Sequence, residues 1–458
     1  MSARMPSGRM EQYRRILKQS SRLFHAVQAV PLPETTDENY TPALAGSHVF
    51  GPALSGFMLW LLREAVNSGK KRLYFLARDG YFMYQAALIF CERLCLPLEC
   101  RYLSCSRYSL RVPVYHLDHE SALDYVCRGG IGVTLQKILA RAGLTAEEQK
   151  KTADCLRLSC GFDDVLPAGQ LTAIRRLLAN CRVFLADMDQ HSGTAYPFLC
   201  GYLRQEGLLD GVPDALVDSG WVGSMQKTLD TVLSRLGRTQ SLSGYYWGLY
   251  GLPPEAVRRN YHWYDFGPGN GLLRKAAFNN CLFEAVFTAP HGMTVGYREE
   301  NGVYLPCYGG ISEERVKFIE LLGSYILAFI RVFADQTAAA APSRREIWEA
   351  RATAGRLLAM LMKHPSAQEA QVFGQIPFSD DVLEGKENFL AAQMTEQELM
   401  ENHLLFRLFH RKSVIRQSAW YEGSAVRDSA RPRRHIRGYT LYQYLLYLDR
   451  QLRYRFGG

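Results

Sequence analysis

The 458-residue sequence lacks several patterns that mark large classes of proteins. Its eleven cysteines form no Cys-x-x-Cys pair and no Cys/His cluster with zinc spacing, which indicates free thiols in a reducing compartment. Residues 1–10 contain no apolar signal-peptide core, and the longest apolar helical run, near 321–334, is short and carries Arg331. We therefore expect a cytoplasmic protein that is at most peripheral to a membrane.

The composition is that of a globular protein with a basic end. Hydrophobic residues make up 47% and charged residues 22%, and the chain is too long for one simple core. The net charge is +9, and residues 427–458 hold eight arginines against two aspartates. This balance permits nucleic acid, an anionic membrane surface or a phosphorylated substrate as partner.

Two segments each predict a buried strand that runs into a glycine turn and then a helix. The first is Arg72–Gly80 followed by Tyr81–Leu94, and the second is Ala215–Ser224 followed by Met225–Leu236. In an open α/β sheet, ligands bind at the carboxyl ends of the strands, where glycines let backbone N–H groups approach an anion. The two turns together predict a site for a ligand with phosphate at both ends.

The remaining pattern predicts an α/β fold with a mostly parallel sheet. Leu98–Ser104 completes a strand–helix–strand unit, and Ser241–Gly251 reads as a later strand. Polar helical sequence predicts an inserted helical lid at about 113–186. We expect three regions: an N-terminal basic helix and linker (1–45), an α/β domain (46–300) and a helical C-terminal region with a basic tail (301–458).

Outside these units, apolar periodicity and capping residues predict more helices. Asp265–Asn270 is predicted as a loop. The predicted helices are Glu11–Val30, Gly51–Asn67, Phe278–Thr288, Ser312–Gln336 and Arg345–Lys363.

The first glycine turn carries the sharpest chemical signal. Arg78 and Asp79 follow an apolar strand, and burying such charges without partners is expensive. The guanidinium fork of Arg78 suits two oxygens of a diphosphate, and Gly80 lets the backbone bend close to it. The alternative is a structural Arg–Asp pair that caps the following helix.

The second glycine turn offers a different set of groups. Asp218 can accept hydrogen bonds from sugar hydroxyls, while Gly220, Gly223 and Ser224 can form a nest of N–H donors for a monophosphate. The alternative is an ordinary strand–turn–helix connection.

Four further residues are candidates for the same site. Ser106 and Arg107 end the neighbouring strand, where Arg107 can hold a leaving pyrophosphate unless it is simply solvated. Glu284 stands in an apolar setting that raises a carboxyl pKa, as a general base requires, and His291 follows in a loop. For Glu284 and His291, a structural hydrogen-bonded role is the alternative.

Two short motifs resemble those of other enzymes. Asp187-Met188-Asp189 resembles the Asp-x-Asp nucleophile of haloacid-dehalogenase-type phosphatases, although His191 replaces the usual small or hydroxyl residue and the pattern also fits a helix. Asp265-Phe266-Gly267 resembles the metal-binding tripeptide of kinases, but the kinase glycine-rich and His-Arg-Asp loops are missing from the sequence.

The basic tail mixes cations with aromatic residues. Arg431–Arg437 precedes four tyrosines between Tyr439 and Tyr447. Such a segment suits an anionic membrane surface, and nucleic-acid binding or a solvated helix are the alternatives.

The order of these turns resembles the type I phosphoribosyltransferases. More specifically, Phe75–Tyr81, Ser106-Arg107 and Val217–Ser224 are similar to a module found beside haloacid-dehalogenase-type phosphatases in bacterial surface-polysaccharide (O-antigen and capsule) clusters, over roughly 51–297. The resemblance assigns Arg78, Asp79 and Gly80 to the pyrophosphate loop. It assigns the second turn to the loop that binds PRPP (phosphoribosyl diphosphate), with Ser219 in place of a second acid and Gly223-Ser224 in place of a Thr-Gly pair: Asp218, Ser219, Gly220, Trp221, Gly223 and Ser224.

The resemblance implies an enzyme that makes ribofuranosides in two steps. This chain would transfer 5-phosphoribose from PRPP to a hydroxyl of a glycan, expected to be lipid-linked, at the inner face of the plasma membrane. A separate phosphatase would then act on the product, and no nucleic acid is expected. The cofactor implied is Mg²⁺, held by PRPP and by Asp79 or Asp218.

The implied roles follow from the chemistry of the reaction. Asp218 would hold the ribose and favour positive charge on it, while Asp79 and Glu284 are the candidates for the base. Two other functions stay open at this stage, a phosphatase that uses Asp187 and Asp189, and a non-catalytic nucleic-acid or assembly module that uses the basic tail.

Overall fold

The computed structural model describes residues 8–130, 132–158, 161–378, 389–410 and 415–456. Its centre is a five-stranded parallel sheet with the strand order β2-β1-β3-β4-β5. The strands are β1 (Arg72–Leu76), β2 (Glu99–Leu103), β3 (Asp214–Trp221), β4 (Gly244–Leu249) and β5 (Tyr261–Phe266).

Both faces of the sheet are buried, as the continuous apolar runs of its strands require. Leu73 and Phe75 of β1 join the core on one face, and Tyr74 and Leu76 join a separate core on the other. The first core includes helices from both ends of the chain, and the second is closed by the two helices that flank β3. The fold is therefore an α/β fold with helices on both sides of a parallel sheet.

Helices form most of the rest of the described chain. Short 3-10 helices lie at Val112–Leu117 and Arg258–Asn260, and a π-helical turn lies at Gly46–Phe50. The α-helices are Gly8–Leu17, Ser21–Gln28, Tyr40–Ala45, Gly51–Asn67, Gly80–Arg93, Arg107–Arg111, His119–Val126, Leu135–Arg141, Ala146–Leu156, Ala168–Ala179, Arg182–Gln205, Ser224–Arg235, Leu272–Ala277, Asn280–Val286, Glu313–Ala339, Arg344–Lys363, Ala367–Gly374, Glu396–Glu401, Leu404–Phe409, Tyr421–Asp428 and Pro432–Phe456.

The insertion between β2 and β3 has a hydrophobic core of its own. Its buried cluster runs from Val112 to Met188 and includes residues of every α-helix from His119–Val126 to Ala168–Ala179 except Ala146–Leu156, which packs at its edge. The predicted helical character of this insertion is confirmed.

Several long helices also agree with the sequence predictions. Gly51–Asn67 has the predicted bounds, and Ser312 caps Glu313–Ala339 by accepting a hydrogen bond from the backbone N–H of Arg315. The stretch Tyr40–Asn67 is long and apolar enough to cross a membrane, but 78% of its most apolar window is buried inside the protein. An apolar helix that is mostly buried is typical of the core of a globular protein, which passes the same test of length and composition.

The N-terminal prediction of one helix is wrong. The chain forms two helices, Gly8–Leu17 and Ser21–Gln28, because Ser20 begins a second helix after a turn. Both helices add residues to the main core, and Arg9 pairs with Glu369 at 2.6 Å. The N-terminal segment therefore packs on the C-terminal region.

Two β elements were missed by the sequence predictions. Asp265 lies in β5 and not in a loop, because the aromatic run that begins at Tyr261 pairs with β4 before the glycine turn. An antiparallel hairpin of β6 (Thr294–Glu300) and β7 (Val303–Tyr308) follows, and the predicted boundary at residue 300 falls at its turn.

Candidate functional site

One cavity of about 570 Å³ opens at the carboxyl ends of β1, β2 and β3. After β1 the chain adds β2 on one side, and later adds β3 on the other side. Ligand crevices in doubly wound sheets form at such a reversal of strand order. Ser219 Oγ of β3 donates a hydrogen bond of 2.6 Å to Asp79 Oδ2 beside β1, so the two turns meet directly.

The turn after β1 presents charged side chains to the cavity. Ala77, Arg78 and Asp79 line it, and the peptide bond between Ala77 and Arg78 is cis. Asp79 precedes the helix Gly80–Arg93, but its side chain makes no capping hydrogen bond. Gly80 does not line the cavity. A Cβ there would lie 3.1 Å from the carbonyl carbon of Phe75, so Gly80 allows the helix to start close to the strand.

The second turn begins later than the sequence predicts. β3 continues past Asp218, because Gly220 pairs with Gly248 of β4 and Trp221 pairs with Leu249. Gly220 has φ +111°, and a Cβ there would lie 2.4 Å from the carbonyl oxygen of Gly248. Only glycine fits this position without displacing the neighbouring backbone.

The helix that follows β3 begins at the cavity. Its first residue, Ser224, lines the cavity, and Gly223 adopts φ +64° just before it. Gly223 itself lies outside the cavity, and a Cβ there would meet the ring of Tyr261 at 2.6 Å. The positive end of the helix Ser224–Arg235 therefore faces the site.

Three half-buried carboxyl groups share the cavity. Burial, followed by the charge of Asp79, raises the pKa of Asp218 to about 7 and that of Glu284 to about 8. Burial also raises the pKa of Asp79. Asp218 and Glu284 therefore titrate near neutral pH, where ordinary carboxyl groups have already lost their protons, so these two groups can both donate and accept protons there.

Trp221 orients one of these carboxyl groups. Its Nε1 donates a hydrogen bond to Glu284 Oε1. The indole ring is held among aromatic rings, including Phe278 and Phe283 at centroid distances of 5.4 and 5.9 Å. Trp221 thus lines the cavity and also fixes the position of Glu284.

Arginines from four parts of the chain line the same cavity: Arg78, Arg107, Arg128 and Arg315. Arg315, which the sequence analysis missed, comes from the first turn of the helix Glu313–Ala339. Burial, followed by the charge of Arg78, lowers the pKa of Arg315 to about 10. One of its terminal nitrogens donates to the carbonyl of Ala285, while Nη1 is buried without a hydrogen-bond partner among the described residues. A buried N–H of this kind suits an anionic ligand.

The insertion completes one wall of the cavity. Tyr108, Tyr125 and Arg128 line it, and the guanidinium groups of Arg111 and Arg128 lie 4.1 and 4.9 Å from the ring centre of Tyr125. No local sequence pattern marks these residues, because the fold alone brings the insertion over the sheet edge.

Two residues predicted for the site make hydrogen bonds within the protein. Ser106 lines the cavity, but its hydroxyl accepts from the backbone N–H of Ser109 and donates to the carbonyl of Thr294 at 2.7 Å. His291 lies outside the cavity, where its Nε2 is 2.9 Å from the hydroxyl of Tyr102. Burial lowers the pKa of His291.

The two short motifs that resemble those of phosphatases and kinases lie away from the cavity. Asp187 and Asp189 sit inside the helix Arg182–Gln205, and Asp189 pairs with His119 at 2.7 Å, so no strand end presents them as a phosphatase nucleophile. Asp265 is buried in β5 and pairs with Arg274 at 3.1 Å.

Comparison of the sequence with protein-family models gives no match, and comparison with curated proteins gives no significant similarity. The cavity therefore has to be interpreted from its own residues.

Proposed function

We propose that this chain is a PRPP-dependent transferase that moves 5-phosphoribose to a hydroxyl of a glycan and releases pyrophosphate. One observation carries the proposal: three parallel strand ends meet at one cavity that holds arginines, half-buried carboxyl groups and a helix N-terminus. Such a mixture suits a ligand with phosphate at two ends and a sugar between them. The strand order and the resemblance of the turns favour a sheet of phosphoribosyltransferase type.

The diphosphate end of the donor belongs at the turn after β1. Arg78 follows β1, Arg107 follows β2, and Arg315 approaches from the helix across the cavity. Guanidinium groups bind phosphate oxygens in pairs, and they neutralise the charge that collects on a departing pyrophosphate. This role gives Arg315 Nη1 the partner that the described protein residues do not supply.

The ribose 5-phosphate end belongs at the turn after β3. The N-terminus of the helix Ser224–Arg235 supplies N–H donors and a favourable dipole for a monophosphate. Gly220 allows the backbone to curve at the cavity, and Asp218 beside it accepts hydrogen bonds from ribose hydroxyls. As an acid, Asp218 also favours the positive charge that develops on the sugar when it is ionised.

A Mg²⁺ ion is compatible with the donor atoms present. The described residues contain no group of three or more His, Cys, Asp or Glu side chains that holds a metal ion by itself. Mg²⁺ is commonly held by one or two carboxylates together with substrate phosphates, and Asp79 and Asp218 supply such carboxylates. When bound, Mg²⁺ neutralises charge on the diphosphate.

The transfer breaks the bond between C1 of ribose and the pyrophosphate oxygen, and it forms a bond from C1 to the acceptor oxygen. Pyrophosphate leaves with the bonding electrons, while the proton of the acceptor hydroxyl passes to a carboxylate. Glu284 and Asp79 are the carboxyl groups placed for this role, which each fills in its ionised form. We infer that the insertion, with Tyr108 and Tyr125 in the wall, acts as a lid over the acceptor. A lipid-linked glycan acceptor and a separate phosphatase for the product complete the proposal.

Pyrophosphate release tests the activity. The purified chain is incubated with PRPP and Mg²⁺, with and without a lipid-linked glycan extract, and pyrophosphate and the glycan mass are measured. We expect acceptor-dependent pyrophosphate release and a glycan heavier by one phosphopentose, both reduced by Asp218→Asn. Asp189→Asn lies outside the cavity and serves as the control. Hydrolysis of a simple phosphate ester, lost in Asp187→Asn, would contradict the proposal.

A further inference from the structure

The C-terminal helix Pro432–Phe456 presents an apolar stripe to solvent. Leu441, Leu445 and Leu452 are 51%, 39% and 46% exposed. Their spacings of four and seven residues place them on one face of the helix. Three exposed leucines aligned on one face of a helix are unusual on a surface that contacts only solvent.

The opposite face of this helix attaches it to the protein. Tyr439 packs on Tyr421 and Tyr447 packs on Tyr250, with ring centres 4.1 and 5.1 Å apart. Because the tyrosines hold the helix in place, the fold does not need the exposed leucines.

Arginines accompany the leucine stripe. Arg433, Arg434 and Arg437 are exposed at the start of the helix, and their guanidinium groups make no hydrogen bond or ion pair with another residue that the structure describes. We name these three arginines and the three exposed leucines the C-terminal surface.

A neighbouring short helix adds to the exposed apolar area. Leu404–Phe409 contacts the C-terminal helix through Arg407, whose guanidinium lies 4.6 Å from the ring centre of Tyr442. Leu405 and Phe409 of this short helix are 67% and 81% exposed.

We infer that the C-terminal surface docks on an anionic lipid membrane. A helix with apolar residues on one side and arginines beside them lies in the membrane interface, with its leucines among the acyl chains and its cations at the headgroups. Charge favours this occupant over a second copy of the chain, because self-association would bring unpaired arginines together. Membrane docking at this surface stands apart from the transferase activity.

Vesicle flotation tests the inference on the full chain. The vesicles are pure phosphatidylcholine, or phosphatidylcholine with about 30% phosphatidylglycerol, a composition rich enough in anionic lipid for electrostatic binding. One variant carries Arg433→Gln, Arg434→Gln and Arg437→Gln, and another carries Leu441→Ser, Leu445→Ser and Leu452→Ser. The charge control replaces three exposed cations elsewhere with Gln: Lys150, Arg259 and Arg331. The apolar control replaces three exposed apolar residues elsewhere with Ser: Val66, Leu88 and Leu177.

We expect binding to the anionic vesicles only, weakened about a hundredfold by the arginine variant and about tenfold or more by the leucine variant. Both controls should bind like the original protein, and all variants should keep their thermal unfolding temperature. The inference is overturned if the protein does not bind anionic vesicles, or if the charge control loses binding as strongly as the arginine variant. It is also overturned if the main effect of the leucine variant is a changed oligomeric state in the absence of lipid.

Discussion

The turns after β1 and β3 have similar sequences but different structures. Each lies in a segment that begins as a buried strand, contains an aspartate and a glycine, and leads into a helix. The β1 turn is short, and its residues Arg78 and Asp79 present side chains. The segment at β3 stays in the strand, paired with β4, as far as Trp221. Gly220 and Trp221 have φ values of +111° and +77°.

In the proposed function, this difference gives the two turns different roles in binding the donor. The β1 turn contributes charge, which suits the strongly anionic diphosphate. The β3 turn contributes backbone shape, a helix N-terminus and one carboxyl group, which suit a sugar phosphate. The left-handed conformation of Trp221 is unfavourable for a residue with a side chain, so its surroundings must hold it.

Replacing the glycines of the two turns with alanine should destabilise the protein to different degrees. Gly220→Ala places a Cβ against the carbonyl of Gly248 and in an unfavourable conformation, so it should lower the free energy of unfolding by about 2–4 kcal/mol. Gly80→Ala meets backbone at 3.1 Å with an ordinary φ and should cost about 1 kcal/mol. Chemical denaturation measures both.

The control for these variants is Gly193→Ala. Gly193 lies inside the helix Arg182–Gln205 with open space around it, so alanine should stabilise the protein by about 0.5–1 kcal/mol. Equal losses at Gly80 and Gly220 would contradict the structural difference between the turns.

A second prediction concerns Arg315, which the proposed function assigns to the diphosphate end of the donor. Arg315→Gln should weaken pyrophosphate binding by about tenfold or more, because a charge-assisted hydrogen bond is worth about 1.5–3 kcal/mol. Arg315→Lys should recover part of the loss, since it keeps the charge without the fork. Isothermal titration with pyrophosphate and Mg²⁺ measures the change.

Arg331→Gln is the matched control for this test. Arg331 is exposed on the same helix, and the Arg331→Gln variant should bind pyrophosphate as the original protein does. Normal pyrophosphate binding by Arg315→Gln would show that Arg315 does not bind pyrophosphate.

A smaller effect concerns pH. The pKa values of Asp218 and Glu284, about 7 and about 8, lie above those of unfolded carboxyl groups. Between about pH 5 and pH 8 these two carboxyl groups therefore hold more protons in the folded protein than in the unfolded chain, so their contribution to the free energy of unfolding should fall as pH rises through this range.

Glu284→Gln should reduce that fall and stabilise the protein at pH 8 by on the order of 1 kcal/mol, since the amide needs no ionisation and can still accept from Trp221. Thermal unfolding from pH 5 to pH 9 checks it. Asp189→Asn, in a surface ion pair with His119, should leave the pH dependence near its original form. A Glu284→Gln variant that is destabilised most at pH 8 would be inconsistent with a protonated Glu284.

The sequence predicts the parts of the site that depend on short-range pattern. The two strand–turn–helix segments stand out because an apolar run, a charge and a glycine lie together, and Glu284 stands out because its neighbours are apolar. The fold adds what the pattern does not contain. Arg315 and Tyr125 reach the cavity from distant segments, and their local sequences resemble those of ordinary helices.

The missed strands and the surroundings of two predicted site residues have physical explanations. β5 and the β6–β7 hairpin mix aromatic, polar and turn-forming residues, so neither strict alternation nor a buried run marks them. His291 looks exposed and available in sequence, but the fold places it against Tyr102 and Tyr308. Ser106 lines the cavity as the sequence predicts, and it also caps a helix.

The most direct test of the two-ended site is titration of the donor and of its halves. PRPP, pyrophosphate and ribose 5-phosphate, each with Mg²⁺, are titrated into the original protein, Arg78→Ala and Asp218→Asn, with Asp189→Asn as the control outside the cavity. The original protein should bind all three. Arg78→Ala should lose mainly pyrophosphate, Asp218→Asn should lose mainly ribose 5-phosphate, and each should weaken PRPP. Absence of PRPP binding to the original protein, or equal loss of both halves in each variant, would contradict the account.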